Sequence, residues 1–194
     1  MLVIRASPRP DGHSNRVASR FIEVYQKARP RSVIKEWWLH SKLDIPEFGQ
    51  AAINGSGEGA AEGEQAAWRQ VLAVIGEFGS ADKYVVATPM WNFGVPAKLK
   101  NLVDVLAQSG HTFEWLEDGG SRGLLAGKKV LFICARAGEY ELGSRSDFQL
   151  SYLQKIWGFM GVHEQREILI QNTWMGPESD EQPLRQAEAC AREW

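Results

Sequence analysis

Two stretches bring together residue types that could hold a flat, phosphorylated ligand. In residues 88–104, TPMWNFGVPAKLKNLVD, the run Met90, Trp91, Asn92, Phe93 and Gly94 sits between two prolines. It sets aromatic faces beside an amide and bare backbone, which suits a flat aromatic ring. If Met90, Trp91 and Phe93 only plugged the top of a core, neither the amide nor the uncovered peptide would be needed. The second stretch is residues 7–15, SPRPDGHSN. A polar loop that opens a helix aims free N–H groups and hydroxyls at one point, and the helix dipole favours negative charge there. Ser7, Ser14 and Asn15 are its candidate phosphate donors. An ordinary helix cap by Ser14 or His13 would use the same residues, and Arg9 could be a solvated charge. A third loop, Ala135, Arg136, Ala137 and Gly138, places a glycine where backbone could touch a ligand.

These loops need elements to carry them. Tyr84, Val85, Val86 and Ala87 read as a strand covered on both faces, and after Pro96 the spacing of Leu99, Leu102, Val103 and Leu106 predicts a helix. Leu2, Val3 and Ile4 make the first strand. Val17, Phe21, Val24, Tyr25 and Ala28 stripe the helix that follows it, up to Pro30. Residues 32–38 predict the second strand, whose adjacent Trp37 and Trp38 point to opposite faces. Residues 51–63, AAINGSGEGAAEG, have no apolar period and read as a mobile linker. Trp68, Val71, Leu72 and Ile75 stripe the next helix. After the central helix, alternation over residues 111–116 and the turn Asp118-Gly119-Gly120 predict a hairpin, placed where it could act as a lid. Residues 128–135 form the fourth strand, Leu153, Ile156, Trp157 and Met160 stripe a helix, residues 164–171 form the fifth strand, and Ser179 with Gln182 resembles a capping box for a last helix. The fold class is α/β: five parallel strands in the order 2-1-3-4-5 with helices on both faces, and a ligand at the switch between strands one and three.

Composition narrows the function. A chain of 194 residues with 44% hydrophobic content is expected to form one domain over residues 1–194. Acidic and basic residues nearly cancel, 24 against 22, which argues against nucleic acid, an anionic membrane or the role of a strongly acidic electron carrier. No apolar run approaches a membrane span, and the expected location is cytoplasmic. Cys134 and Cys190 have no ligand-spaced neighbours and read as packing residues, and no metal site is expected. His13, His40, His111 and His163 are scattered, so no acid–base set is legible, with His111 the one to watch. Neither nucleotide-loop fingerprint is present.

With the loops assembled, the whole chain resembles the FMN-dependent NADH-azoreductases, bacterial flavodoxin-like quinone reductases. The resemblance rests on TPMWNFGVPAKLKN, then Gly110-His111-Thr112-Phe113, GLLAGKKV over residues 123–130 and ARAG over residues 135–138. It implies non-covalent FMN, NADH or NADPH as electron donor, quinones and azo dyes as acceptors, and a homodimer with sites at the subunit interface. Carried over to this chain, Ser7, Ser14 and Asn15 would hold the phosphate, Met90, Trp91, Asn92 and Phe93 the isoalloxazine, and Ala135, Arg136, Ala137 and Gly138 its pyrimidine side. Trp91 and Phe113 would wall the substrate slot, and no side chain would act as acid or base. Two departures stand out: His13-Ser14-Asn15 where family members often have Ser-x-Ser, and Ala137 in place of a frequent glycine. The alternatives are a flavodoxin-like electron carrier, an FMN or chromate reductase of the same fold, and a non-enzymatic scaffold domain.

Overall fold

A computed structural model describes residues 1–41, 45–141 and 143–194 of the chain. The first strand, β1 (Leu2–Arg5), is buried along its whole length and leads through a polar loop into α1 (His13–Ala28). The next strand, β2 (Lys35–Trp38), is shorter than the hydrophobic pattern suggests. Its ladder with β1 runs from Lys35 opposite Leu2 to Trp38 opposite Arg5, and before it the Met1 amino group donates to the Val33 carbonyl at 2.8 Å. The chain continues through α2 (Gln50–Gly55), α3 (Glu62–Gly79), β3 (Lys83–Pro89) and α4 (Ala97–Leu106). It then forms a hairpin of β4 (Phe113–Trp115) and β5 (Ser121–Gly123), followed by β6 (Lys129–Ala135), α5 (Leu150–Phe159), β7 (Glu164–Ile170), two short 3-10 turns and α6 (Glu181–Glu193).

Five strands form one parallel sheet in the order β2-β1-β3-β6-β7, the order that alternating strands and right-handed crossovers predict. Alternate strand residues feed two separate cores, because successive side chains point to opposite faces. Ile4, Tyr84, Val86, Val130, Phe132 and Cys134 pack with Val71, Phe78, Leu99, Leu102 and Trp157 of α3, α4 and α5. On the other face, Val3, Val85, Ala87, Leu131 and Ile133 pack with Val17, Phe21 and Tyr25 of α1 and Ala187, Ala191 and Trp194 at the C-terminal end. Each side chain, fully buried, contributes about 1.5–3 kcal/mol, so both faces together hold the sheet. Among the described residues, no helix is long and apolar enough to cross a membrane.

Three expectations need correction. Residues 51–63 are not a linker: α2 occupies their first part and α3 begins at Glu62. Their small residues serve a close helix contact. A β-carbon at Gly55 would fall on the backbone of Glu64. The hairpin is not a free lid either, since Leu125 N–H donates to the Met160 carbonyl at 2.9 Å and Leu124 N–H to the Thr112 carbonyl at 2.8 Å. Gly123 lies directly on the Met160–Gly161 backbone, which fastens the hairpin at the end of α5, the amino edge of the sheet. Finally, Ser179 forms no capping box: its hydroxyl donates to the Gly176 carbonyl at 2.8 Å, and α6 begins behind Asp180 with no side-chain cap.

The Gly55 contact predicts opposite signs for two glycine substitutions. Gly55→Ala must push α2 off α3 and should lower stability by about 1–3 kcal/mol. Gly63→Ala meets no atom within 4 Å and should raise it by about 0.5 kcal/mol through helix propensity. Urea unfolding of both variants reads the difference; a destabilising Gly63→Ala or a neutral Gly55→Ala would contradict this packing.

Candidate functional site

Strand β1 pairs with β2 on one side and β3 on the other, so the loops leaving β1 and β3 wind away from each other. Between them, at the carboxyl edge, lies a cavity of about 190 Å³. Ser7, Gly12, His13 and Ser14 line one side, Met90 and Trp91 another, and Ala135, Ala137 and Thr173 the third. All three loops singled out in the sequence therefore meet here. A larger neighbouring cavity of about 480 Å³ is walled by Glu139, Glu178 and Glu181, whose carboxylates would repel a phosphate.

The first loop is braced from within. Asn15 is buried, and its Nδ2 donates to the Arg9 carbonyl at 2.7 Å, which also receives the Gly12 N–H at 3.1 Å. Asn15 Oδ1 has no partner among the described residues. The Ser7 hydroxyl accepts the Arg9 N–H at 3.3 Å, and a β-carbon at Gly12 would crowd that hydroxyl. The first intrahelical bond of α1 is Arg16 N–H to the Gly12 carbonyl, 2.9 Å, and no side chain caps the helix. The amides of His13, Ser14 and Asn15 precede that bond, so the helix itself leaves them without a carbonyl partner. Beneath them Arg5, buried in the core, donates to the Asn15 carbonyl at 3.0 Å and stacks 4.7 Å over Trp38.

The second loop is a tight reversal. Trp91 and Gly94 exchange both backbone hydrogen bonds at 3.0 Å, with Asn92 at φ 49° and Phe93 at φ 68°. Two consecutive positive φ values on residues other than glycine cost about 1–2 kcal/mol each. Surrounding contacts hold them: Phe148 N–H donates to the Phe93 carbonyl at 3.1 Å, and the Phe93 ring meets Tyr140 edge-on at 6.4 Å. Such a turn directs the two central amides outward, and strain of this kind concentrates where a ligand is clamped. Trp91 is 45% and Phe93 53% exposed, so their faces stay open to a ring. In the third loop, Met90 N–H donates to the Ala135 carbonyl at 2.7 Å, tying it to the second.

Comparison with known proteins bears on this geometry. The family described as having a flavodoxin-like fold matches residues 1–194. An FMN-dependent NADH:quinone oxidoreductase of Nitratidesulfovibrio vulgaris is 37% identical over 185 residues, spanning 91% of this chain and 88% of that protein. One from Caldicellulosiruptor saccharolyticus is 37% identical over 200 residues, 99% of this chain and 98% of its own. The chain belongs to the azoreductase family of flavodoxin-like FMN-dependent NADH:quinone oxidoreductases. Among solved structures, an azoreductase from Bacillus anthracis shares 27% identity with a TM-score of 0.89, covering 100% of this chain and 98% of that one. A Bacillus anthracis FMN-dependent NADH-azoreductase in complex with FMN shares 25% identity with a TM-score of 0.90, covering 99% of this chain and 97% of its own.

Within this azoreductase-family chain, the residues named from the sequence that do not line the cavity are Asn15, Asn92, Phe93, His111, Phe113, Arg136 and Gly138. Arg136 is buried, its guanidinium paired with Asp147 at 2.8 Å and bonded to Gln149 at 3.2 Å. Its backbone N–H and carbonyl are taken by Ile170 and Thr173, so its amide is not free for a ligand, while its buried Nη1 has no partner among the described residues. Phe113 is buried against Phe159, ring centres 4.4 Å apart, at the far end of α5. It does not face Trp91 within the chain, because the hairpin that carries it is pinned at the amino edge. His111 is exposed and lies edge-on to Trp68 at 5.9 Å, outside the cavity. Gly138 is covered by the Tyr140 ring and has ordinary backbone angles. Cys134 is fully buried, and burial pushes its thiol up to about 12, which leaves it inert.

Sequence reasoning missed Arg5, Asp147, Gln149, Thr173 and Asp180, whose isolated positions carry no motif. Gln149 Nε2 reaches the Thr88 carbonyl at 3.3 Å, so the buried Arg136–Asp147–Gln149 group links the ends of β3 and β6. Removing one member of such a pair strands a charge. Asp147→Ala should cost about 3–5 kcal/mol in urea unfolding of the flavin-free protein. A loss below 1 kcal/mol would show that the pair does not hold these loops.

Proposed function

We propose that this chain is an FMN-dependent oxidoreductase, acting as one flavin-binding unit over residues 1–194, that takes electrons from NADH or NADPH and reduces quinones and azo compounds. The observation that carries the reading is the convergence of three loops on one crevice: an uncapped helix start, a strained turn presenting outward amides, and a loop bound to that turn. These features fit FMN. The cavity of about 190 Å³ is smaller than the 300–1,000 Å³ of a site that engulfs a whole ligand, which suits a phosphate and its chain while leaving a ring on the rim.

In this reading Ser7, Ser14 and the amides of His13, Ser14 and Asn15 hold the phosphate. The amides of Asn92 and Phe93 hydrogen-bond the polar edge of the ring, and those of Ala137 and Gly138 lie toward its pyrimidine side. Bound FMN supplies hydride acceptance and release, the difficult part of the chemistry. The protein's share is orientation and electrostatics: amide dipoles already aimed where negative charge gathers, with no side chain required as acid or base. Met90 and Trp91 exclude water from one side. The acceptor and the nicotinamide share the slot beside Trp91, since the chain has no dinucleotide fingerprint to hold the donor elsewhere. They therefore alternate, in a ping-pong order.

Exposed Trp91, Phe93, Phe148, Trp174 and Met175 cluster along this edge, and Trp115, Leu116 and Leu124 on the hairpin, more apolar surface than a lone chain ordinarily shows. A homodimer covers it.

Two measurements test the proposal. The purified protein should be yellow, release FMN on denaturation, and give parallel double-reciprocal lines when NADH is varied at several quinone concentrations. A flavodoxin-like carrier would not turn over quinone with NADH alone, and converging lines would mean that both substrates bind together. Light scattering should report twice the chain mass at micromolar concentration; a fully active monomer would remove the dimer from this account.

A further inference from the structure

The residue where the first loop departs from the Ser-x-Ser pattern has a partner that the sequence does not reveal. His13 opens α1, lines the cavity beside Ser7 and Ser14, and keeps its side chain 24% exposed. Its Nδ1 lies 2.6 Å from Oδ1 of Asp180, a carboxylate 2% exposed that sits 167 residues away in the chain, at the end of the 3-10 turn (Pro177–Asp180). The other oxygen of Asp180 receives Nε of Arg16 at 2.8 Å and Nη2 at 2.5 Å. An ionised carboxylate can only accept, so Nδ1 carries a hydrogen and donates it. The 3.1 Å approach of Arg16 Nη2 to the same nitrogen is then a contact between two donors drawn to one carboxylate, not a hydrogen bond. With Nδ1 committed, Nε2 is the ring's other nitrogen and bonds to none of the described residues. It accepts when the imidazole is neutral and donates only when it is protonated.

We propose that His13, oriented by Asp180, is a phosphate-binding residue of this flavin site that donates through Nε2 as an imidazolium, so that FMN binding takes up a proton. The inference rests on the FMN reading above and goes beyond it. Three charged groups face the ring: Asp180 from the 3-10 turn, Arg16 from the same helix, and Arg9 across the cavity; Glu178 and Glu181 line the neighbouring cavity with Ser179. With a neutral imidazole, Asp180 cancels one of the two arginines and the cluster offers the phosphate a single positive charge. Protonation of His13 adds a second beside a dianion, which is the favoured state once phosphate arrives. Imidazole is the side chain suited to make this change between about pH 5 and 8. The sign follows: the bound form holds more protons than the free form, so affinity for FMN falls as pH rises. Riboflavin has the same ring and no phosphate, and is indifferent to this cluster.

Calorimetric titration of the flavin-free protein with FMN and with riboflavin, in two buffers of different ionisation heat, separates these cases. The window is about pH 6.5 to 8.5, above the second phosphate ionisation near 6. Wild type should take up protons on binding FMN and none on binding riboflavin. His13→Gln should abolish the uptake and weaken FMN about tenfold at the acid end of the window, with riboflavin unchanged. FMN binding without proton uptake by the wild-type protein would overturn the role of His13 and leave the flavin site standing. So would uptake that persists in His13→Gln, or equal weakening of both flavins. A wild-type protein that binds neither flavin would overturn the flavin reading itself.

Discussion

The site depends on one reversal of winding. β1 lies between β2 and β3 in the sheet, so the chain leaves it toward one face and returns to β3 from the other. Two adjacent strand ends thus have loops that turn apart, and no helix can fill the gap between them without crossing the sheet. The crevice is a consequence of topology before any side chain is chosen. What the sequence adds is the lining: small polar groups and an open helix end after β1, aromatics and a strained turn after β3.

Holding such a crevice open needs rigid walls, because loops at a sheet edge have little core of their own. This chain uses buried ionic groups as struts. Arg5 reaches up from the sheet to the carbonyl of Asn15, Arg136 with Asp147 and Gln149 joins β6 to the end of β3, and Asp180 binds α1 to the turn before α6. A buried pair adds little net stability over an apolar one, yet breaking it is costly, so it fixes geometry more than it lowers energy. The positive φ values of Asn92 and Phe93 persist for the same reason: the surrounding contacts leave the turn no cheaper conformation.

The strands, the helix stripes, the sheet order and the hairpin were legible because hydrophobic periodicity and turn residues report them directly. The site was legible at the level of loops: Ser7, Ser14, Met90, Trp91, Ala135 and Ala137 all reach one cavity. What failed did so where small residues or single charges carry the structure. Residues 51–63 looked like a linker because alanine and glycine lack an apolar period, yet their smallness is what lets α2 touch α3. Phe113 belongs to the right motif but to the wrong end of the sheet, since a motif does not say where its hairpin is fastened. Arg136 was read as a ligand contact from its neighbours, and the sequence does not reveal that its guanidinium is buried against Asp147 and Gln149. Asp180 sits far from His13 in sequence, and no local pattern announces a long-range strut.

The two ends of the crevice also differ in what they ask of a ligand. At the deep end, donors come from an uncapped helix and from side chains held by struts, and a chain of formal charge −2 can bind an anion there because the field is local and screened beyond about 8–10 Å. Recognition at that end is strict, since buried donors left without an acceptor are expensive. At the rim, Trp91 and Phe93 present apolar faces with few polar groups near them, and a missing or added substituent on a flat ring changes such contacts by only about 1–3 kcal/mol. In the function proposed here, strictness toward the cofactor and breadth toward the acceptor would arise from one architecture, in which polar groups serve the phosphate and the turn, and the face where chemistry occurs is left to aromatic contact.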